Sequence, residues 1–139
     1  MTEHRMLNIL LVEDVEVDIM NVKRAFQKNK IANPLFVANN GLDALAMLRG
    51  GEIPQERRII LLDLNMPRMN GIEFLRELRK DPKLNLAPVV VLTTSNDEKD
   101  KIEAYNLNVA GYLLKPVTFS NFCEVMAALN KYWTLVEMP

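Results

Sequence analysis

One cysteine in 139 residues leaves Cys123 without an internal disulfide partner, which fits a reducing compartment. Placed within a helical pattern, it reads as core or interface filler rather than a redox sensor. The one histidine, His4, has no second His or Cys at ligand spacing and reads as part of a polar N-terminal tail. Neither sign of charge prevails: 17 basic and 18 acidic residues give a net charge of −1. That excludes an electrostatic footprint for nucleic acid or for an acidic membrane surface. The longest uncharged stretch, Leu84 to Asn96, contains Pro88 and falls short of the roughly 20 residues a membrane span needs. The polar opening Met1-Thr2-Glu3-His4-Arg5 lacks the h-region of a signal peptide. Glycine is scarce, and none of the 5 follows the first apolar run. Val15-Glu16-Val17-Asp18 stands there instead and would repel a phosphate, which excludes a flavodoxin-like cofactor cradle. The expectation is a soluble, cytoplasmic chain forming a single domain over 1–139, with a core from about 7 to 131.

What is present is an alternation. Apolar runs at Asn8-Val12, Leu35-Ala38, Ile59-Leu62, Val89-Leu92 and Gly111-Leu114 predict strands, and helical patterns fall near 16–29, 41–49, 71–80, 97–107 and 118–133. This order predicts an α/β fold, a doubly wound five-stranded parallel sheet of order 2-1-3-4-5 with helices on both faces. Asn40 and Thr118 are placed to cap helices, and Asn96 or Asp97 to start the fourth. Gly50 is placed to end the second in a left-handed turn, and Asp81-Pro82 to stop the third. Phe119, Phe122, Met126, Leu129 and Trp133 recur at helical steps along one face of the last helix.

Function-bearing residue types sit where the strands end. Asp63 closes the run Ile59-Ile60-Leu61-Leu62, whose continuous branched-apolar character marks a strand buried on both faces. Glu13-Asp14 follow the first strand, Thr93-Thr94 the fourth and Lys115-Pro116 the fifth. In a doubly wound sheet these ends share the edge where ligands bind. Three carboxylates converging there repel one another, and a hard divalent cation with oxygen ligands relieves this. Mg2+ suits best, because it keeps waters and takes phosphate oxygens into its shell. Asp63 is then a carboxylate nucleophile able to form an acyl phosphate. Glu13 and Asp14 hold the metal, Thr93 donates a hydroxyl hydrogen bond to a phosphoryl oxygen, and Lys115 sets a positive charge against the developing phosphoryl charge.

Singly, each residue has an ordinary explanation. Glu13-Asp14 can be helix-starting acids, Thr93 a strand-end residue bonding its own backbone, Lys115 a solvated loop lysine, and Met66-Pro67 turn chemistry. Four strand ends carrying these types in this order make a coincidence that the separate explanations do not cover.

The runs Leu10-Leu11-Val12-Glu13-Asp14, Leu61-Leu62-Asp63-Leu64-Asn65-Met66-Pro67-Arg68-Met69-Asn70-Gly71, Val91-Leu92-Thr93 and Gly111-Tyr112-Leu113-Leu114-Lys115-Pro116 resemble the receiver domain of two-component response regulators, over nearly the whole chain. The resemblance implies that a sensor histidine kinase phosphorylates Asp63, and that Glu13, Asp14, Asp63 and the backbone carbonyl of Asn65 bind Mg2+. It implies that Lys115 meets the phosphoryl group and that Thr93 and Tyr112 form the switch. It further implies a cis peptide at Lys115-Pro116. Glu13 stands where aspartate is commoner in that family, and Thr94 where a small residue is frequent. Asn65 and Ser95 occupy the positions that tune phosphoryl lifetime.

Tyr132-Trp133-Thr134-Leu135-Val136-Glu137-Met138-Pro139 is expected to run past the last helix as an apolar tail. It can fold back on its own domain or be buried against a second copy. The Tyr-Trp pair with its short apolar tail resembles the small response regulators paired with bacterial phytochromes. That resemblance implies a homodimer, with Phe122, Leu129, Tyr132, Trp133 and Leu135 as interface candidates, and a phytochrome-type kinase. With no residues left for an output domain, the expected output is a protein-binding surface on the fourth helix, fifth strand and fifth helix. A haloacid-dehalogenase-like phosphatase uses similar groups, but needs an acid two residues after its nucleophile. Asn65 stands there and cannot move the proton. A binding scaffold that is never phosphorylated is the remaining alternative. The chain is accordingly expected to be a phosphoacceptor rather than an enzyme, with at most slow self-dephosphorylation.

Overall fold

A computed structural model describes residues 6–115 and 118–137. Five strands and five helices alternate: β1 (Asn8–Val12), α1 (Glu16–Lys28), β2 (Leu35–Ala38), α2 (Gly41–Arg49), β3 (Arg58–Leu62), α3 (Gly71–Lys80), β4 (Val89–Thr93), α4 (Glu98–Asn106), β5 (Gly111–Leu114) and α5 (Phe119–Leu135). The strands form one parallel sheet in the order β2-β1-β3-β4-β5, as the alternation predicts.

Because strand side chains alternate between faces, the apolar runs feed two cores. Leu10, Val12, Ile60, Leu62, Val89 and Val91 meet Ala44, Leu45, Phe74, Leu75 and Ala104 from α2, α3 and α4. Ile9, Leu11, Ile59, Leu61, Val90 and Leu92 meet Ile19, Phe26, Phe122, Met126 and Trp133 from α1 and α5. Every residue of β3 and β4 is buried, which explains why neither run shows a polar alternation. Cys123 is buried in the second core.

Local chemistry sets the helix ends. Asn40, Thr118 and Asp97 accept from the backbone amides of Asp43, Asn121 and Lys99. At α3, Asn70 and Glu73 close a reciprocal capping box, which the spacing Asn-x-x-Glu announces and which went unassigned above. Gly50 is not the left-handed residue after α2. It stays in the right-handed region at φ −81°, and Gly51 makes the turn at φ 78°, one position later, where the absence of a Cβ removes the strain.

The largest departure from expectation is at the C-terminus. Helix α5 runs to Leu135, so Tyr132-Trp133-Thr134-Leu135 are its last turns rather than a tail. Arg57 accounts for this extension. Itself in the left-handed region at φ 45°, it donates from Nη2 to the Trp133 carbonyl at 2.8 Å and from Nη1 to the Val136 carbonyl at 3.1 Å. A guanidinium on the last carbonyls also complements the helix dipole.

Candidate functional site

The sheet ladders continue one residue past the strands, and this aligns the site. The amide of Glu13 donates to the Ala38 carbonyl at 2.9 Å, that of Asp63 to Val12 at 3.0 Å, and that of Lys115 to Thr93 at 2.9 Å. Side chains from β1, β3, β4 and β5 are thereby held at one edge with little freedom to drift. Glu13, Asp63 and Thr93 are buried there.

Thr93 Oγ1 donates to Asp63 Oδ1 at 2.6 Å, and the Asn65 amide approaches the same oxygen at 3.4 Å. Lys115 Nζ lies 2.7 Å from Glu13 Oε1, 2.7 Å from Asp18 Oδ2 and 3.7 Å from Asp63 Oδ2. The lysine is thus shared among three acids and bonded to two of them. Glu13 Oε2 accepts from the Val15 amide at 3.1 Å.

Burial drives the electrostatics. Glu13 is pushed up to about 7 by desolvation, with the nearby Asp63 charge adding to the rise and Lys115 pulling against it. Desolvation alone would lower Lys115, but the hydrogen bonds to Asp18 and Glu13 and the Asp63 charge outweigh it and hold the ammonium above its usual value. Burial likewise raises Tyr112.

Glu13, Asp14 and Asp63 each present a carboxylate oxygen within 4.8 Å of the others. Asp14 Oδ1 is buried without a hydrogen-bond partner among the described residues. An orphaned buried carboxylate oxygen is costly, and an all-oxygen trio of this size suits a hard divalent cation. The residues present therefore fit a metal.

Ser95 links the cluster to its surroundings. Its amide donates to Thr93 Oγ1 at 3.2 Å, its Oγ to Asp100 Oδ2 at 2.7 Å, and its carbonyl accepts the Tyr112 hydroxyl at 2.8 Å. Tyr112 is half-buried against the α3–α4 core. Thr94 is exposed. Gly71 packs so tightly on the loop after β3 that a Cβ there would lie 2.6 Å from the Asp63 carbonyl oxygen. Its amide donates to the Leu64 carbonyl at 3.1 Å.

The structure brings Glu13, Asp14, Asp63, Thr93 and Lys115 together, with Asn65 and Tyr112 beside them. Asp18 as a lysine partner and Ser95 as a hub went unassigned in the sequence. The signal for Asp18 is its place in the first turn of α1, which begins just after the strand end that carries Glu13 and Asp14. The Lys115-Pro116 peptide and His4 lie outside the described residues. Of the interface candidates, Phe122 and Trp133 are buried in their own core and Leu129 packs against it. Tyr132 and Leu135 are exposed. Trp133 thus packs on its own domain, the first of the two alternatives for that segment, and Phe122 helps cover the same sheet face.

A family model for the response regulator receiver domain matches residues 9–127. Response regulator Rcp1 of Synechocystis sp. is 38% identical over 128 residues, spanning 90% of this chain and 87% of that protein. The structure of Rcp1 in its Mn(2+)-bound form superposes with a TM-score of 0.81 at 38% identity, covering 94% of this chain and 97% of that one. The phosphorylated cyanobacterial phytochrome response regulator RcpA gives a TM-score of 0.84 at 34% identity, covering 96% and 97%.

Proposed function

We propose a phosphorylation switch centred on Asp63, from the premise that this chain belongs to the response regulator receiver domain family. The single observation that carries the assignment of residues is the convergence of Asp63 with Thr93, Lys115 and two further carboxylates at the carboxyl edge of the sheet. In the reaction, an Asp63 carboxylate oxygen attacks phosphorus and the P–N bond of a kinase phosphohistidine breaks. The product is an acyl phosphate, and the proton taken up by the released imidazole comes from water. Lys115, poised 3.7 Å from Asp63 Oδ2, moves from Glu13 and Asp18 to the phosphoryl oxygens. Thr93 transfers its hydrogen bond from Asp63 to the same group. Glu13, Asp14, Asp63 and the Asn65 carbonyl would hold a divalent cation, Mg2+ in this reading, which would supply neutralisation of phosphoryl charge when bound.

The kinase partner is a sensor histidine kinase, here of the phytochrome type, supported by the likeness to RcpA. The output is a changed protein-binding surface on α4, β5 and α5. To move a two-state surface from 1:99 to 99:1, phosphorylation must favour the active state by roughly 5.5 kcal/mol. Charge-assisted bonds from Thr93 and Lys115 are of the right order to contribute.

We further read the chain as a cytoplasmic receiver that forms a homodimer. With Phe122 and Trp133 internal, the contact is assigned to exposed Tyr132 and Leu135 at the end of α5. Sedimentation of Leu135→Asp and Tyr132→Asp is expected to show monomer where the wild type shows dimer. A wild-type monomer at high concentration would remove this part.

The direct test is the intact mass of wild type and Asp63→Asn after acetyl phosphate, with and without Mg2+. One phosphoryl adduct, dependent on Mg2+ and absent from the variant, is expected. Continuous phosphate release would favour a phosphatase, and no adduct on folded protein would favour a scaffold.

A further inference from the structure

Asp18 belongs neither to the phosphoacceptor nor to the cation set, yet it holds the lysine on which phosphoryl transfer depends. Its Oδ2 accepts from Lys115 Nζ at 2.7 Å, across 97 positions of the chain. Asp18 is the third residue of α1, a place from which an acid ordinarily reaches back to the amide of the capping residue. Here that amide is already served. Val15, the capping residue, contributes no side-chain bond, and its amide donates to Glu13 Oε2 at 3.1 Å. The other four helices are capped by the side chains of Asn40, Asn70, Asp97 and Thr118. At the start of α1, Glu13 thus serves the helix, and Asp18 is left to serve Lys115.

An ammonium carries three donors. Lys115 directs two of them at Glu13 Oε1 and Asp18 Oδ2, each at 2.7 Å. Asp63 Oδ2 lies 3.7 Å from Nζ, beyond hydrogen-bond reach. Glu13 and Asp18 therefore draw the ammonium back from the acceptor carboxylate. The two anchors differ in their surroundings: the Glu13 side chain is 3% exposed and that of Asp18 32%. When Lys115 leaves, water can take its place on Asp18 at the rim, so this contact breaks and re-forms readily.

We infer that Asp18 is a positioning residue acting through Lys115: it parks the ammonium on the α1 side of the resting site and competes with the phosphoryl group for it. This brake presupposes phosphorylation at Asp63, as proposed above. A contact made at rest and lost in the phosphorylated chain moves the balance toward rest by its own strength.

Beryllium fluoride, whose fluorines stand in for phosphoryl oxygens on an aspartate, tests the brake by equilibrium binding at saturating Mg2+, read from the amide shifts of Ser95 and Tyr112. Asp18→Asn keeps size and loses charge, and is expected to tighten binding about three- to tenfold, the strength of one partly exposed ion pair. Asp18→Glu, which keeps the charge, is expected to bind as the wild type does. Glu16→Gln removes a charge from the same turn with no ion pair to Lys115 among the described residues, and is expected to leave affinity unchanged. In the metal-free chain, the 15N ammonium resonance of Lys115 is expected to move in Asp18→Asn and to stay in Glu16→Gln. A purely structural role for Asp18 would weaken binding rather than tighten it. Unchanged or weaker binding by Asp18→Asn, or equal tightening by Glu16→Gln, would overturn the brake and leave phosphorylation at Asp63 standing. Failure of the folded wild type to bind beryllium fluoride would remove the phosphorylation reading and the brake with it.

Discussion

The Thr93 hydroxyl spans the 2.6 Å to Asp63 Oδ1 with both side chains buried, while its oxygen accepts from the Ser95 amide. One hydroxyl therefore joins the acceptor carboxylate to the residue whose other groups hold Tyr112 and Asp100. Any move of Thr93 toward a phosphoryl oxygen must pull on the loop after β4, and through it on α4 and β5.

Thr93→Val keeps shape and removes the donor. Asp63 Oδ1 then keeps only the longer bond from the Asn65 amide at 3.4 Å, and losing a hydrogen bond to a charged group costs about 1.5–3 kcal/mol, measurable by urea unfolding. Phosphoryl uptake at Asp63, read by mass, is expected to persist. The amide shifts of Ser95, Asp100 and Tyr112 that accompany uptake in wild type are expected to vanish. Unaltered responses would mean that the coupling runs elsewhere.

Metal binding should depend on pH through Glu13. With its pKa near 7, the metal-free site holds a proton that a cation must displace. Affinity is thus expected to fall about tenfold per unit as pH drops below 7, and calorimetry at pH 6, 7 and 8 reads this directly. The sign for stability is opposite. The folded chain binds the Glu13 proton more tightly than the unfolded one, whose value is 4.5. Its contribution is complete below about pH 4.5 and is lost as pH rises through about 7. Glu13→Gln is expected to remove both dependences.

Gly71→Ala tests a close approach rather than a conformation. Its methyl would meet the Asp63 carbonyl oxygen at 2.6 Å and the Leu64 Cα at 2.7 Å. Overpacking of this kind costs typically about 1–3 kcal/mol. Because the displaced backbone carries Asp63, phosphoryl uptake from acetyl phosphate is expected to slow as well. Normal uptake in a destabilised variant would show that the loop yields without moving the carboxylate.

Arg57→Ala removes two charge-assisted bonds from the end of α5. A loss of about 1.5–3 kcal/mol is expected, with Trp133 fluorescence moving to the red as the last turn frays. If Tyr132 and Leu135 join two copies, the dimer should weaken in the same variant.

Much of the site was legible because it depends on order along the chain. Strands read as apolar runs, and in a parallel sheet every crossover returns the chain so that all strand ends fall on one edge. Acids, hydroxyl and lysine at the ends of β1, β3, β4 and β5 had therefore to meet. What stayed hidden were contacts between side chains far apart in sequence. Asp18 looks like one of the acids that favour a helix start, and nothing near it names Lys115 as its partner. Ser95 matters through its amide and carbonyl, which every residue possesses. The end of α5 was misplaced because a residue before β3 caps it, and helix patterns carry no trace of a distant arginine.

The sequence by itself determined the strand–helix alternation, the order of the chemical groups and the edge at which they gather, since these follow from hydrophobic periodicity and the handed return of parallel strands. Only the tertiary structure decided which acids share Lys115, that Glu13 holds its proton to near neutrality, and that Phe122 and Trp133 are buried in the core of their own domain. Each of those depends on distance and desolvation, quantities that exist only once separate elements have packed together.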